Sequence, residues 1–69
     1  MKISARNVLA GTVIKVTNGA VNAEVVLRLD GGVELTSVIT IGALTELDLK
    51  PGAKAYAVVK ASNVILAVD

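Results

Sequence analysis

Val21, Ala23, Val25, Leu27 and Leu29 alternate with Asn22, Glu24, Val26, Arg28 and Asp30. A period of two with one strongly apolar row is the pattern of a β-strand with one buried face. Upstream, Gly11 to Thr17 is rich in β-branched residues, which favour the extended backbone. Asn18-Gly19 joins the two segments and predicts a two-residue hairpin, since both residues tolerate positive φ. Asp30-Gly31-Gly32 predicts a second reversal, into a third strand over Val33 to Ile39. Three consecutive antiparallel strands follow.

The pattern changes after Ile39. Thr40 can cap a helix, and Ile41, Leu44 and Leu47 recur at helical spacing. Gly42 and the Pro51-Gly52 stop limit that helix to a turn or two. Alternation resumes from Ala53 to Lys60, with Ala53, Ala55, Ala57 and Val59 on one side. Past the polar break Ala61-Ser62-Asn63, residues 64–68 read as a last apolar strand. One small open sheet cannot shield its own core face, so it should close on itself. The expectation is an all-β fold over residues 1–69: a single OB-like domain, a five-stranded barrel with one short helix between strands 3 and 4.

Composition adds a constraint. A chain of 69 residues sits near the lower limit for a self-supporting core, and small domains compensate with disulfides, metals or oligomerisation. There is no Cys and no His, which removes disulfides and the usual zinc ligands. Hydrophobic residues make up 54% of the chain and charged residues only 19%, more apolar than one small interior can hide. Self-association is the remaining route, with part of the apolar surface facing another copy. The net charge of +1 and the single aromatic residue give no basis for a nucleic-acid surface. No apolar run approaches the ~20 residues of a membrane span, and the N-terminus is too polar for a signal peptide. A cytoplasmic location is therefore expected.

Catalysis has little to work with, lacking Cys and His; Asp30 and Glu34 flank one turn, where solvation explains them. Two acid-free polar clusters interrupt the apolar chain: Ser4-Ala5-Arg6-Asn7 before the first strand and Lys60-Ala61-Ser62-Asn63 between the last two. Each joins a cation to hydroxyl and amide donors on small-residue backbone, the mixture that a tetrahedral oxyanion needs. Taken singly, each cluster reads as well as solvated strand ends.

Together they carry a resemblance. The sequence resembles the Mop family of molybdate-binding proteins, the molbindins, through Ile3-Ser4-Ala5-Arg6-Asn7, Leu35-Thr36-Ser37-Val38-Ile39-Thr40 and Ala57-Val58-Val59-Lys60-Ala61-Ser62-Asn63. The family motif often has Gln where this chain has Val8, which opens the apolar strand. The resemblance implies an OB-like domain that forms a homohexamer, a trimer of dimers, and binds molybdate or tungstate between subunits without a cofactor. It implies that Ser4, Arg6, Lys60 and Ser62 hold the oxyanion, with backbone N–H groups around Ala5 and Ala61, one chain's Ser4 and Arg6 facing its neighbour's Lys60 and Ser62. A second class of site is implied near the three-fold axis, for which Asn22, Thr36 and Ser37 are the candidates.

Capture then rests on the guanidinium fork of Arg6, the compact charge of Lys60 and two hydroxyls. Charge-assisted bonds of this kind contribute about 1.5–3 kcal/mol each. Sulfate, being smaller, would leave donors unpaired, whereas molybdate and tungstate are not distinguished. The competing readings are an OB-like nucleic-acid-binding module, which the lack of aromatics opposes, and a molybdate-sensing domain of a larger regulator or transporter. Met1 and the full strand pattern favour a free-standing protein.

Overall fold

The computed structural model describes residues 1–69. The elements are β1 (Asn7–Asn18), β2 (Asn22–Leu29), β3 (Glu34–Thr40), α1 (Ile41–Glu46) and β4 (Lys54–Val59), followed by a 3-10 turn over Ala61–Asn63. The strands form one antiparallel sheet in the order β3-β2-β1-β4. The fold is all-β with a curled sheet and one short helix, as expected, but it has four strands rather than five. Residues 64–68 pair with no strand of their own chain. Their apolar composition is real, but a strand needs a neighbour to hydrogen-bond, and none lies beside them here.

The curl comes from β1, which pairs with β4 through its first half and with β2 through its second. The register slips between Val13 and Lys15, a β-bulge at Ile14 that bends the strand and adds twist. Gly11 lies at the changeover, paired with both Leu29 and Ala55. A Cβ there would sit 2.6 Å from the Arg28 carbonyl oxygen and 2.9 Å from Leu27 Cγ. Glycine is what allows the two backbones to approach this closely.

The turns divide. Gly32 takes φ +93°, and its N–H donates to Leu29 O at 2.9 Å, as the Asp30-Gly31-Gly32 pattern predicts. Neither Asn18 nor Gly19 takes positive φ; the Gly19 N–H instead donates to Asn22 O at 2.8 Å around Ala20-Val21. The reversal therefore sits further along the chain than the Asn-Gly pair indicates. Thr40 caps α1 as expected, its Oγ1 accepting from Ala43 N–H at 3.0 Å. At the other end Asp48 has φ +52°, its N–H donating to Thr45 O and that of Leu49 to Leu44 O. This is a Schellman-type end with Asp in the position that favours glycine.

The core is small. Val13, Val25 and Leu27 form its buried centre, with Ile39, Leu44, Leu49, Ala53, Ala55 and Ala57 packed around them. Only 5 of 69 residues are buried, and the chain exposes 5424 Å². A compact monomer of 7.0 kDa would expose about 4,000 Å². Roughly 1,400 Å² of surface is thus in excess of what a closed domain of this mass presents. No helix is long and apolar enough to cross a membrane.

Candidate oxyanion site

The β1–β4 ladder runs from Thr12↔Lys54 to Asn7↔Val59, and Asn7 Nδ2 donates to the Val59 carbonyl at 3.2 Å. Residues 4–6 leave the sheet where residues 60–62 leave it. The two polar clusters, more than fifty residues apart in sequence, therefore leave the sheet at the same end of one ladder.

Ser4, Arg6, Lys60, Ala61 and Ser62 are exposed and Ala5 is half-buried. Neither Arg6 nor Lys60 has a carboxylate within 4.0 Å; the ion pairs are Arg28–Glu34 at 2.7 Å and Lys50–Asp48 at 3.8 Å, both elsewhere. The side-chain hydrogen bonds of the molecule use none of Ser4, Arg6, Lys60 or Ser62. Two cations and two hydroxyls are therefore free to serve an anion. Lys60 stands at the N-terminal side of the 3-10 turn, where Asn63 N–H donates to Lys60 O at 2.9 Å and fixes the backbone that carries Ser62. No group of three or more Asp, Glu, His or Cys side chains could hold a metal cation.

Asn22, Thr36 and Ser37 are not brought together. Asn22 pairs with Thr40 beside the β1–β2 reversal, at the opposite end of β1 from Asn7. Thr36 lies opposite Val26 on the outer face, and Ser37 lies opposite the buried Val25 on the inner face. A cleft of about 270 Å³ is lined by Ala10, Gly11, Asp30, Lys54, Ala55 and Tyr56, midway along β1. It contains a carboxylate and is separate from the cationic end. Sequence reasoning did not single out Asn7 as the residue that fastens the ladder here; its side-chain amide next to a strand end is the signal that was available.

The geometry defines a small β domain whose sheet ends in an open, acid-free cationic cluster. The family model described as "TOBE domain" matches residues 3–66. A "Probable molybdenum-pterin-binding protein" of Haemophilus influenzae is 46% identical over 69 residues, spanning the whole of both chains. Among solved structures, MopII from Clostridium pasteurianum superimposes with a TM-score of 0.91 at 45% identity, covering 97% of this chain and all of that one. The cytoplasmic molybdate-binding protein ModG, with molybdate bound, superimposes with a TM-score of 0.96 at 61% identity, covering all of this chain and 49% of that one. The chain belongs to the Mop family of molybdate-binding proteins within the TOBE-domain proteins. These relatives are named for what they bind, not for a reaction.

Proposed function

We propose that this protein captures molybdate, and tungstate with it, at subunit interfaces of a homohexamer, a trimer of dimers, as a cytoplasmic store or buffer of the oxyanion. One observation carries the reading. The Asn7↔Val59 rung brings the chain segments that carry Ser4 and Arg6 and those that carry Lys60 and Ser62 out of the sheet at the same end, with no acid pairing either cation. The names of the relatives support molybdenum as the ligand, and ModG, described as cytoplasmic and with molybdate bound, supports both the anion and the compartment.

Exposure of the cluster supports the interfacial part. In water, anion binding by open cations is screened, and the Debye length is about 8 Å at physiological salt. A second copy laid against the cluster would exclude that water and strengthen each charge-assisted bond. The ligand would in turn stabilise the assembly by mass action. ModG, of which this chain spans 49%, supports a second reading, the same module working inside a longer chain.

Titration calorimetry with molybdate, tungstate and sulfate tests the proposal. Molybdate and tungstate should bind in the micromolar range or tighter, near 8 kcal/mol, with sulfate weaker. Arg6→Ala and Lys60→Ala should each weaken binding at least tenfold, about 1.4 kcal/mol. Parental affinity in both variants would remove these residues from the site, and absence of binding by all three anions would reject the function.

A further inference from the structure

Asn18 and Gly19, where β1 ends, are held unequally. Asn18 is exposed, and its side chain enters none of the side-chain hydrogen bonds. The Gly19 N–H, in contrast, donates to Asn22 O at 2.8 Å. A Cβ on Gly19 would sit 2.8 Å from that same oxygen, so a turn of this shape needs glycine.

Asparagine is thermolabile because its side-chain amide can be lost. The backbone nitrogen of the next residue attacks Cγ and closes a five-membered succinimide. The N–Cγ bond forms, the Cγ–Nδ2 bond breaks, and ammonia leaves with the proton given up by the backbone N–H. Water then opens the ring at either carbonyl, giving aspartate or isoaspartate. Asparagine and water thus become an acid and ammonia, with nothing oxidised or reduced. Two factors govern the rate: access to the attacking nitrogen and removal of its proton, since a protonated amide nitrogen is conjugated and not nucleophilic.

Access singles out one residue. Asn7 and Asn63 precede valine and Asn22 precedes alanine, whose side chains crowd the attacking nitrogen; Asn18 alone precedes glycine. The turn thus requires, at Gly19, the residue that leaves Asn18 least shielded. The same turn also restrains the reaction. Removing the Gly19 proton forfeits the bond to Asn22 O. The Asn18↔Ala23 pairing holds Asn18 extended, and a paired strand does not adopt the ψ that brings the next nitrogen to Cγ.

We propose that Asn18 is a modification site, the residue of this chain that converts spontaneously to aspartate and isoaspartate, and that the Gly19–Asn22 hydrogen bond is the latch that withholds the reaction in the folded state. Conversion then runs through local opening of the turn, at a rate set by the population of the open form. Isoaspartate carries the backbone through one more carbon, out of step with Ala23, and the new carboxylate cancels the net charge of +1. The turn anchors its surroundings too: Asn22 pairs with Thr40, and Ile41 N–H donates to Val21 O at 2.9 Å. A lesion at Asn18 therefore loosens the start of α1, at the far end of β1 from Asn7.

The test ages the full-length protein at one pH and temperature, folded in buffer and unfolded in guanidinium. Peptide mass mapping follows each asparagine, with isoaspartate separated by chromatography. In the unfolded chain Asn18 should convert before Asn7, Asn22 and Asn63. In the folded protein its conversion should slow about tenfold or more, the protection that a local opening equilibrium provides. A variant with one glycine inserted between Ala20 and Val21, its fold checked by circular dichroism, lengthens the turn and should convert faster than the parent in buffer. Earlier conversion of another asparagine in the unfolded chain would overturn the assignment of the site. A folded rate equal to the unfolded one, or an insertion variant as slow as the parent, would overturn the latch.

Discussion

Asn7 and Val59, 52 residues apart, are joined by a side-chain hydrogen bond of 3.2 Å laid over their backbone pairing. That contact fastens the end of the sheet from which both polar clusters emerge. Removing it leaves a part-buried carbonyl without its side-chain donor, a loss of about 1 kcal/mol. Asn7→Ala should therefore lower stability modestly in urea while weakening molybdate binding more than that loss implies. Unchanged affinity in calorimetry would show that the rung does not position the site.

Gly11 has no room for a side chain beside Arg28 and Leu27. In Gly11→Ala the added methyl meets the Arg28 carbonyl, which is backbone and cannot swing aside. The expected cost is about 1–3 kcal/mol, read as a lower urea midpoint with an unchanged slope.

Asp48 should respond in the opposite direction. Its left-handed conformation costs an L-residue roughly 1 kcal/mol relative to glycine, and its ion pair with Lys50 is long and exposed. Asp48→Gly should raise the melting temperature by several degrees, about 4–8 °C for each kcal/mol gained. A lower melting temperature would indicate that the carboxylate contributes more than its backbone strain costs.

Arg28 provides a charge control for the oxyanion site. It pairs with Glu34 at 2.7 Å and lies opposite Thr12, five residues along β1 from Asn7. That separation is about 17 Å at ~3.3 Å per residue, beyond the Debye length of about 8 Å. Arg28→Ala removes the same charge as Arg6→Ala, costs stability by at most about 1 kcal/mol, and should leave molybdate affinity unchanged. Equal weakening by both variants would mean that binding follows net charge and not a local site.

Much of the fold is legible locally. Alternation over Val21 to Leu29 places Ala23, Val25 and Leu27 inside, and all three are buried. Asp30-Gly31-Gly32 turns where its glycines permit, and Thr40 caps the helix that follows it. Each is set by residues within a few positions of one another. The reversal lies beyond the Asn18-Gly19 pair because Asn18 also suits a strand end and the β1 ladder holds it there, leaving the turn to Gly19–Asn22. The candidate site divides in the same way: its residue types are visible in the sequence, but their emergence at one end of the sheet is not.

By itself, then, the sequence determined an apolar β chain too small to hide its hydrophobic residues, with two acid-free cationic clusters. Composition, period and turn chemistry suffice for that, because each acts over a few residues. Only the tertiary structure decided that the Asn7↔Val59 register brings those clusters to the same end of the sheet, that Ile14 bulges to curl it, and that residues 64–68 pair with no strand of their own chain. These follow from which distant backbone groups hydrogen-bond to one another. A period-two pattern names a strand and its buried face, but it does not name the strand's neighbour.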